Sequence, residues 1–267
     1  MDLIFSHICT LSVFPNMVKI ASPGGSANHD PVPRGVVSGF SPAARKRMLE
    51  MLNQLVFERI TFVTLTYPKE WNPDGHEYKK HLRRFRARME RKYPKIRVLW
   101  RLEFQKRGAP HYHLLLFDAP FLCKYCLSYD WYRSVGSGDR KHLRNGTNIR
   151  GVASQGENGK IISYVAKYAA KPLQEGAVTD DSWTGRYYGR WNIETPDPIE
   201  IAIDPGGAVR VALGALSLGR RGTPYEPAFL TRCTIFGGRM GCSEFGAIVV
   251  DSAESIGGNR KPGKLDS

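Results

Sequence analysis

The chain has no run of roughly 18 apolar residues, so nothing in it reads as a membrane-spanning helix and no membrane partner is expected. Met1 to Met17 is mildly apolar. Asp2 and His7 interrupt it, a basic start is missing and no small-residue cleavage site follows, so no signal peptide is expected. Cysteine is scarce: the five thiols (Cys9, Cys123, Cys126, Cys233 and Cys242) are odd in number and loosely spaced, which disfavours a disulfide framework. Cys123-x-x-Cys126 stands as a lone pair. A structural zinc would need two more ligands, for which Cys233 and Cys242 are only formal candidates, so free thiols in a cytoplasmic protein are the expectation. A phosphate-binding loop of the Gly-x-x-x-x-Gly-Lys-Ser/Thr type is also missing. Gly156-Glu157-Asn158-Gly159-Lys160 lacks its spacing, so no ATPase is expected. No internal repeat is visible.

The remaining shortage is negative charge. The 25 acidic residues face 39 basic ones, a net charge of +14. Residues 77–107 alone carry thirteen Lys/Arg against three Glu. Such density fits a nucleic-acid-facing surface better than a merely solvated helix face. The candidate contacts there are Lys79, Lys80, Arg83, Arg84, Arg86, Arg88 and Arg107. Gly185-Arg186-Tyr187-Tyr188-Gly189-Arg190-Trp191 adds Arg186 and Arg190 in an aromatic setting; its plainer reading is a strand end with surface arginines.

Pattern along the chain divides it into four parts. Residues 1–40, rich in Gly, Pro, Ser and Asn from 22 onward, read as a flexible leader. Residues 41–200 read as the functional domain. Ser41-Pro42 opens a helix to about Leu55; 60–67 is a β-branched strand stopped by Pro68; 76–92 is a helix with Tyr78, Leu82, Phe85 and Met89 at helical spacing. Strands over 97–105 and 111–117 follow, and a helix over about 158–171 ends before Pro172. Residues 201–250 read as a small β-rich extension with strands at 199–203 and 208–213, and 251–267 as a disordered tail.

Two clusters carry chemistry. His111-Tyr112-His113 lies on a strand, so both imidazoles point to one face. A five-residue loop over 106–110 would set residue 105 opposite 111 and Glu103 opposite His113. Two imidazoles and a carboxylate would then suit a divalent ion, Mg²⁺ or Mn²⁺ by role and Zn²⁺ or Ni²⁺ by affinity. A one-residue slip would send Glu103 to the other face, and a salt bridge to an arginine is its plainer role. The second cluster is Tyr164-Val165-Ala166-Lys167-Tyr168-Ala169-Ala170-Lys171. With Tyr164 at zero on a helical wheel, Tyr168 falls at about 40°, Lys171 at about 340° and Lys167 at about 300°. Two phenols and two ammonium groups share a stripe off the apolar face, which suits a nucleophile meeting an anion.

Phe62-Val63-Thr64-Leu65-Thr66-Tyr67, then Gly108-Ala109-Pro110-His111-Tyr112-His113, then Tyr164-Val165-Ala166-Lys167-Tyr168 occur in the order found in one family. Over about residues 58–195 the chain resembles the HUH endonucleases that initiate rolling-circle replication, typified by the gene II protein of filamentous phages and its plasmid relatives. Its double tyrosine resembles that of the gene A proteins of small isometric single-stranded DNA phages. The resemblance implies an α+β fold: a central antiparallel sheet with flanking helices, as in RRM-like nucleases. It implies a divalent metal, Mg²⁺ or Mn²⁺, on His111, His113 and Glu103. It implies a nucleophile at Tyr164 or Tyr168, with Lys167 or Lys171 as partner. It further implies nicking and rejoining of single-stranded origin DNA in a bacterial or infected host cell, with host helicase and polymerase as partners. A single-strand transposase of the same fold, a non-catalytic basic DNA-binding regulator and a basic RNA-binding domain remain alternatives.

Overall fold

Ile60–Thr66 is rich in β-branched residues and forms β3, an inner strand of the sheet that concerns function. The computed structural model describes residues 8–21, 40–152, 185–219, 232–236 and 242–261. Within them the chain runs β1 (Cys9–Phe14), β2 (Met17–Ala21), α1 (Pro42–Gln54), β3 (Ile60–Thr66), α2 (Gly75–Lys92), β4 (Arg97–Phe104), β5 (Pro110–Phe117), α3 (Lys124–Val135), α4 (Arg140–Asn145), β6 (Thr147–Val152) and β7 (Tyr188–Trp191). It continues through β8 (Ile199–Ile203), α5 (Pro205–Gly219), β9 (Arg232–Phe236), α6 (Cys242–Ser255) and β10 (Asn259–Arg260). Two five-stranded antiparallel sheets with flanking helices result, in the orders β6-β3-β5-β4-β7 and β10-β8-β1-β2-β9. The α+β class expected from the sequence is what the chain adopts.

Alternation along the first sheet decides what each helix covers. Val63, Leu65, Val98, Trp100, Leu102, Tyr112, Leu114 and Leu116 pack with Tyr78, Leu82, Phe85 and Met89 of α2 and with Leu127 and Trp131 of α3. On the opposite face, Phe62, Leu99, Leu115 and Phe117 pack with Met48 and Leu52 of α1. The helix starts follow their caps: Ser41 accepts from the Ala44 amide ahead of α1, with Pro42 in its first turn, and Asp74 accepts from the His76 amide ahead of α2.

The second sheet corrects the expected organisation. Residues 9–21, assigned to the flexible leader, form a hairpin in which Phe14 pairs with Met17 across Pro15-Asn16. Cys9, Leu11 and Val13 are buried, while Thr10 and Ser12 between them are half-buried. The strand expected at 208–213 lies within helix α5. Asp204 accepts from the Gly207 amide, and the buried Ala208, Val211, Ala212 and Ala215 recur at helical rather than alternating spacing. The extension at 201–250 is therefore helical as well as β. Residues 251–261, placed in the disordered tail, finish α6 and add β10 to β8. Residues 22–39 and 262–267 lie outside the described residues.

The two sheets meet through the β1–β2 turn and α1. The buried Asn16 donates its side-chain amide to Asn53 Oδ1 at 2.5 Å and its backbone N–H to the Asn53 carbonyl at 3.0 Å. Lys19 pairs with Glu50 at 3.0 Å. A buried amide that loses its partner carries its full desolvation penalty. Asn53→Ala is expected to lower stability in urea denaturation by about 1–3 kcal/mol, whereas Lys46→Ala, which removes an exposed 3.9 Å contact to Glu50, shifts it by less than about 0.5 kcal/mol.

Candidate metal centre and nucleic-acid surface

Beyond the part that α1 covers, the α1 side of the first sheet is polar. Thr64 and Thr66 of β3, His111 and His113 of β5, and Arg101 and Glu103 of β4 project there by strand alternation. In β3–β5 pairing Thr64 faces His113 and Thr66 faces His111. Each threonine hydroxyl meets the Nδ1 atom of its partner, at 3.5 and 3.2 Å respectively. The imidazole rings lie 4.6 Å apart between centroids, and Phe62 packs at 5.5 Å from His113. Thr66 is itself pinned, its carbonyl accepting from Trp131 Nε1 and meeting His142 Nε2, both at 2.9 Å.

Glu103 reaches this strip by a register tighter than the sequence suggested. The expected partner of His113 was Glu103; the observed partners are Arg101 with His113 and Glu103 with His111. The cause is the turn. Gly108 donates its amide to the Gln105 carbonyl at 2.8 Å, and Gln105 donates to Ala109 at 2.9 Å. Gly108 has φ of 79°. This is a three-residue turn closed by a left-handed glycine bulge, which places Phe104 opposite Pro110. The shift is two residues, so Glu103 keeps its face. Its Oε2 lies 3.2 Å from His113 Nε2 across the diagonal, and its Oε1 lies 3.0 Å from Arg101 Nη1.

The donor types fit a divalent ion. Both Nδ1 atoms meet threonine hydroxyls, so Nε2 is the atom each ring would offer an ion, and on His113 that atom already faces Glu103. Burial, with the neighbouring His113 adding to it, depresses the pKa of His111 to about 4, so its ring is neutral at pH 7 as a ligand must be. Among the described residues no three His, Cys, Asp or Glu side chains are gathered closely enough to cage an ion as they stand.

Tyr164, Lys167, Tyr168 and Lys171 lie outside the described residues. The basic candidates divide. Arg107 is consumed by structure: it donates to the carbonyls of Tyr67, Pro68 and Lys69 at 2.8–2.9 Å and stacks 4.7 Å from Trp71. Lys80 pairs with Glu77 at 2.6 Å, Arg86 with Glu90 at 2.8 Å, and Arg88 approaches Asp130 at 3.9 Å. Arg83, Arg84, Arg186 and Arg190 are exposed. Lys79 donates to the Arg186 carbonyl and lies 4.7 Å from the Trp100 ring; burial brings its pKa down to about 7. Because α2 packs on the face opposite the histidines, its charges do not line the polar strip.

Thr64 and Thr66 stood in the Phe62–Tyr67 segment, which the resemblance makes a strand that helps shape a DNA site, but had no role of their own, and Arg101 was passed over. The threonines were readable as alternate residues of one strand, whereas Arg101 was one arginine among thirteen basic residues. Cys123 serves as the cap of α3, accepting from the Cys126 amide at 3.4 Å, and Cys126 is exposed.

His111 also carries a pH signature. Its folded pKa lies below the unfolded value of about 6.5, so the unfolded chain binds more protons between the two. Its contribution is fully present above about pH 6.5 and is lost as pH falls toward about 4. In urea denaturation with chelator present, the wild type should lose stability from pH 7 to pH 4.5 more steeply than His111→Gln.

Comparison with known proteins bears on this same segment. Residues 60–173 match the family model for replication-associated proteins of the ORF2 and gene II protein type. A protein of Xylella fastidiosa (strain 9a5c), provisionally named a replication protein, is 30% identical over 183 residues, covering 62% of this chain and 60% of the relative. Another from strain Temecula1, named in the same way, is 28% identical over 183 residues, covering 62% of this chain and 65% of the relative. The chain thus spans under two thirds of the length of these relatives. No solved structure gives a significant match. The histidine-bearing sheet, and the sequence onward through the tyrosine segment, are similar to replication-associated proteins.

Proposed function

We propose that the chain is a replication initiator that nicks and rejoins single-stranded origin DNA through a 5′-phosphotyrosine intermediate. The observation that supports this reading best is the polar strip in which His113 Nε2 stands 3.2 Å from Glu103 Oε2 and β3 threonines hold both imidazoles. It lies within the segment that matches replication-associated proteins. A divalent ion, Mg²⁺ or Mn²⁺, held by His111, His113 and Glu103 would supply charge withdrawal from a non-bridging phosphate oxygen.

The chain's own groups do the rest. Thr64 and Thr66 orient the imidazoles, and Arg101 fixes one carboxylate oxygen of Glu103. A phenol of pKa about 10 is mostly protonated at neutral pH. The ammonium of Lys167 or Lys171 favours the phenolate at Tyr164 or Tyr168. The phenolate oxygen forms a bond to phosphorus while the bond from phosphorus to the 3′ oxygen breaks. That oxygen leaves with the electron pair, takes up a proton and becomes a primer 3′-OH. Rejoining is the reverse attack, so no ATP is needed. Unwinding and synthesis fall to a host helicase and polymerase.

A non-catalytic DNA-binding regulator is the second reading, favoured by the engagement of Glu103 with both Arg101 and His113. One assay separates the two. Oligonucleotides tiling the replicon's single strand are incubated with the protein and Mn²⁺, and mass spectrometry locates any phosphotyrosyl adduct. The adduct is expected on Tyr164 or Tyr168, abolished in Tyr164→Phe/Tyr168→Phe and reduced at least about tenfold in Glu103→Gln. Undiminished cleavage by the double variant sinks the mechanism, and an intact wild type with no adduct on any oligonucleotide supports the regulator.

A further inference from the structure

The β7 edge of the first sheet, which pairs with no further strand among the described residues, carries a second surface. Strand β7 ends the strand order, with α1 covering one face of the sheet and α2 the other. A groove of about 1240 Å³ runs around that edge, lined by Arg47 of α1, Arg83 and Arg86 of α2, and Arg186 and Arg190 at β7. Small-molecule sites occupy about 300–1,000 Å³, so the size suits an extended occupant. Trp100 and Trp191, both largely buried, contribute aromatic wall; Arg86 lies 5.9 Å from the Trp191 ring. Gly189 keeps that wall closely packed, since a Cβ there would stand 2.6 Å from the Trp100 ring.

Charge in the groove is one-sided. Among the described residues Arg47, Arg83, Arg186 and Arg190 have no carboxylate partner. The acidic lining residue, Glu50, is held by Lys19 at 3.0 Å. At its α1 end the groove reaches Phe40, whose ring lies 5.9 Å from Tyr188 and 4.8 Å from the Arg101 guanidinium. Arg101 in turn pairs with Glu103. The basic edge therefore abuts the polar strip through the packed Phe40–Arg101 pair.

We infer that this groove is a track for the backbone of single-stranded DNA, binding the stretch that flanks the phosphate presented to the His111–His113–Glu103 strip. The inference rests on the proposed function for the identity of the polymer. Phosphates meet the unpaired arginines around the β7 edge, while the strand turns past Phe40 from the α2 side to the histidine side. This explains how charges on α2, on the far face of the sheet, serve a site they do not line.

The test is binding of a fluorescein-labelled oligothymidylate of about 20 nucleotides, read by anisotropy in chelator over a salt series. Chelator keeps binding separate from cleavage. Arg47→Ala/Arg83→Ala/Arg190→Ala removes three exposed guanidiniums, and matched melting curves confirm folding. Affinity is expected to fall at least about tenfold near 0.1 M salt, and the log–log salt slope by about two. Arg133→Ala/Lys141→Ala/Arg144→Ala, exposed on α3 and α4, should change affinity less than about threefold. Equal losses in the two triple variants would mean diffuse charge and overturn the inference, as would wild-type binding by the groove variant. Competition by polyglutamate as effective as unlabelled oligothymidylate would overturn the nucleic-acid assignment. If the adduct assay fails while the groove variant still loses binding, the track stands and the nicking mechanism alone falls. If adducts form and the groove variant binds normally, the track alone falls.

Discussion

Everything in the polar strip depends on the pleat of the β4–β5 hairpin and on the turn that sets its register. Side chains alternate with a period of two, so an even displacement of the two strands preserves which residues share a face and an odd one destroys it. Gly108 closes the turn with φ of 79°, a backbone state that costs little only for glycine. The resulting register keeps Arg101, Glu103, His111 and His113 on one side while Leu102, Tyr112 and Leu114 enter the core on the other. Had the loop been longer or shorter by one residue, Glu103 would have pointed toward α2 and α3.

The same alternation explains how one sheet face can be both core and site. Helix α1 covers Phe62, Leu99, Leu115 and Phe117, the apolar half of the face. Two residues further along each strand the side chains become Thr64, Arg101 and His113, and the described residues lay no helix over them. Burial is partial there: the side chains of His113 and Glu103 are 13% and 21% exposed. That intermediate state holds the ring in place while part of it stays exposed. The rigidity comes from behind, where Trp131 and His142 fix the carbonyl of Thr66.

Much of this was legible in the sequence, and the misses share causes. The caps at Ser41-Pro42, the β-branched run at 60–66 and the His-x-His strand carry local signals that tertiary packing did not override. The strands at 9–21 alternate as well as any other, but their N-terminal position invited a leader reading. Within 208–213, Val209 and Val211 flank Arg210 as they would in a strand, and only the Asp204 cap with the spacing of buried alanines reveals a helix. Within the site, the face of Glu103 was readable and its exact neighbour was not, because loop length alone does not distinguish a plain five-residue loop from a three-residue turn with a glycine bulge. The basic residues were the least legible. Density predicted a surface, but whether an arginine is spent on carbonyls, as Arg107 is, or left facing solvent, as Arg83 is, depends on the chain around it.

Arg101 ties these parts together. Its side chain is 3% exposed, and it lies between Phe40 at the mouth of the groove and Glu103 in the strip. A guanidinium at that depth is tolerable only with a charged partner, since removing one member of a buried pair costs several kcal/mol. Glu103 is thus bound to two tasks: neutralising Arg101 beneath it and facing His113 beside it. The two carboxylate oxygens face different partners, Oε1 toward Arg101 at 3.0 Å and Oε2 toward His113 at 3.2 Å. The division ties the buried guanidinium to the imidazoles through one side chain, so a change at either partner is felt at the other.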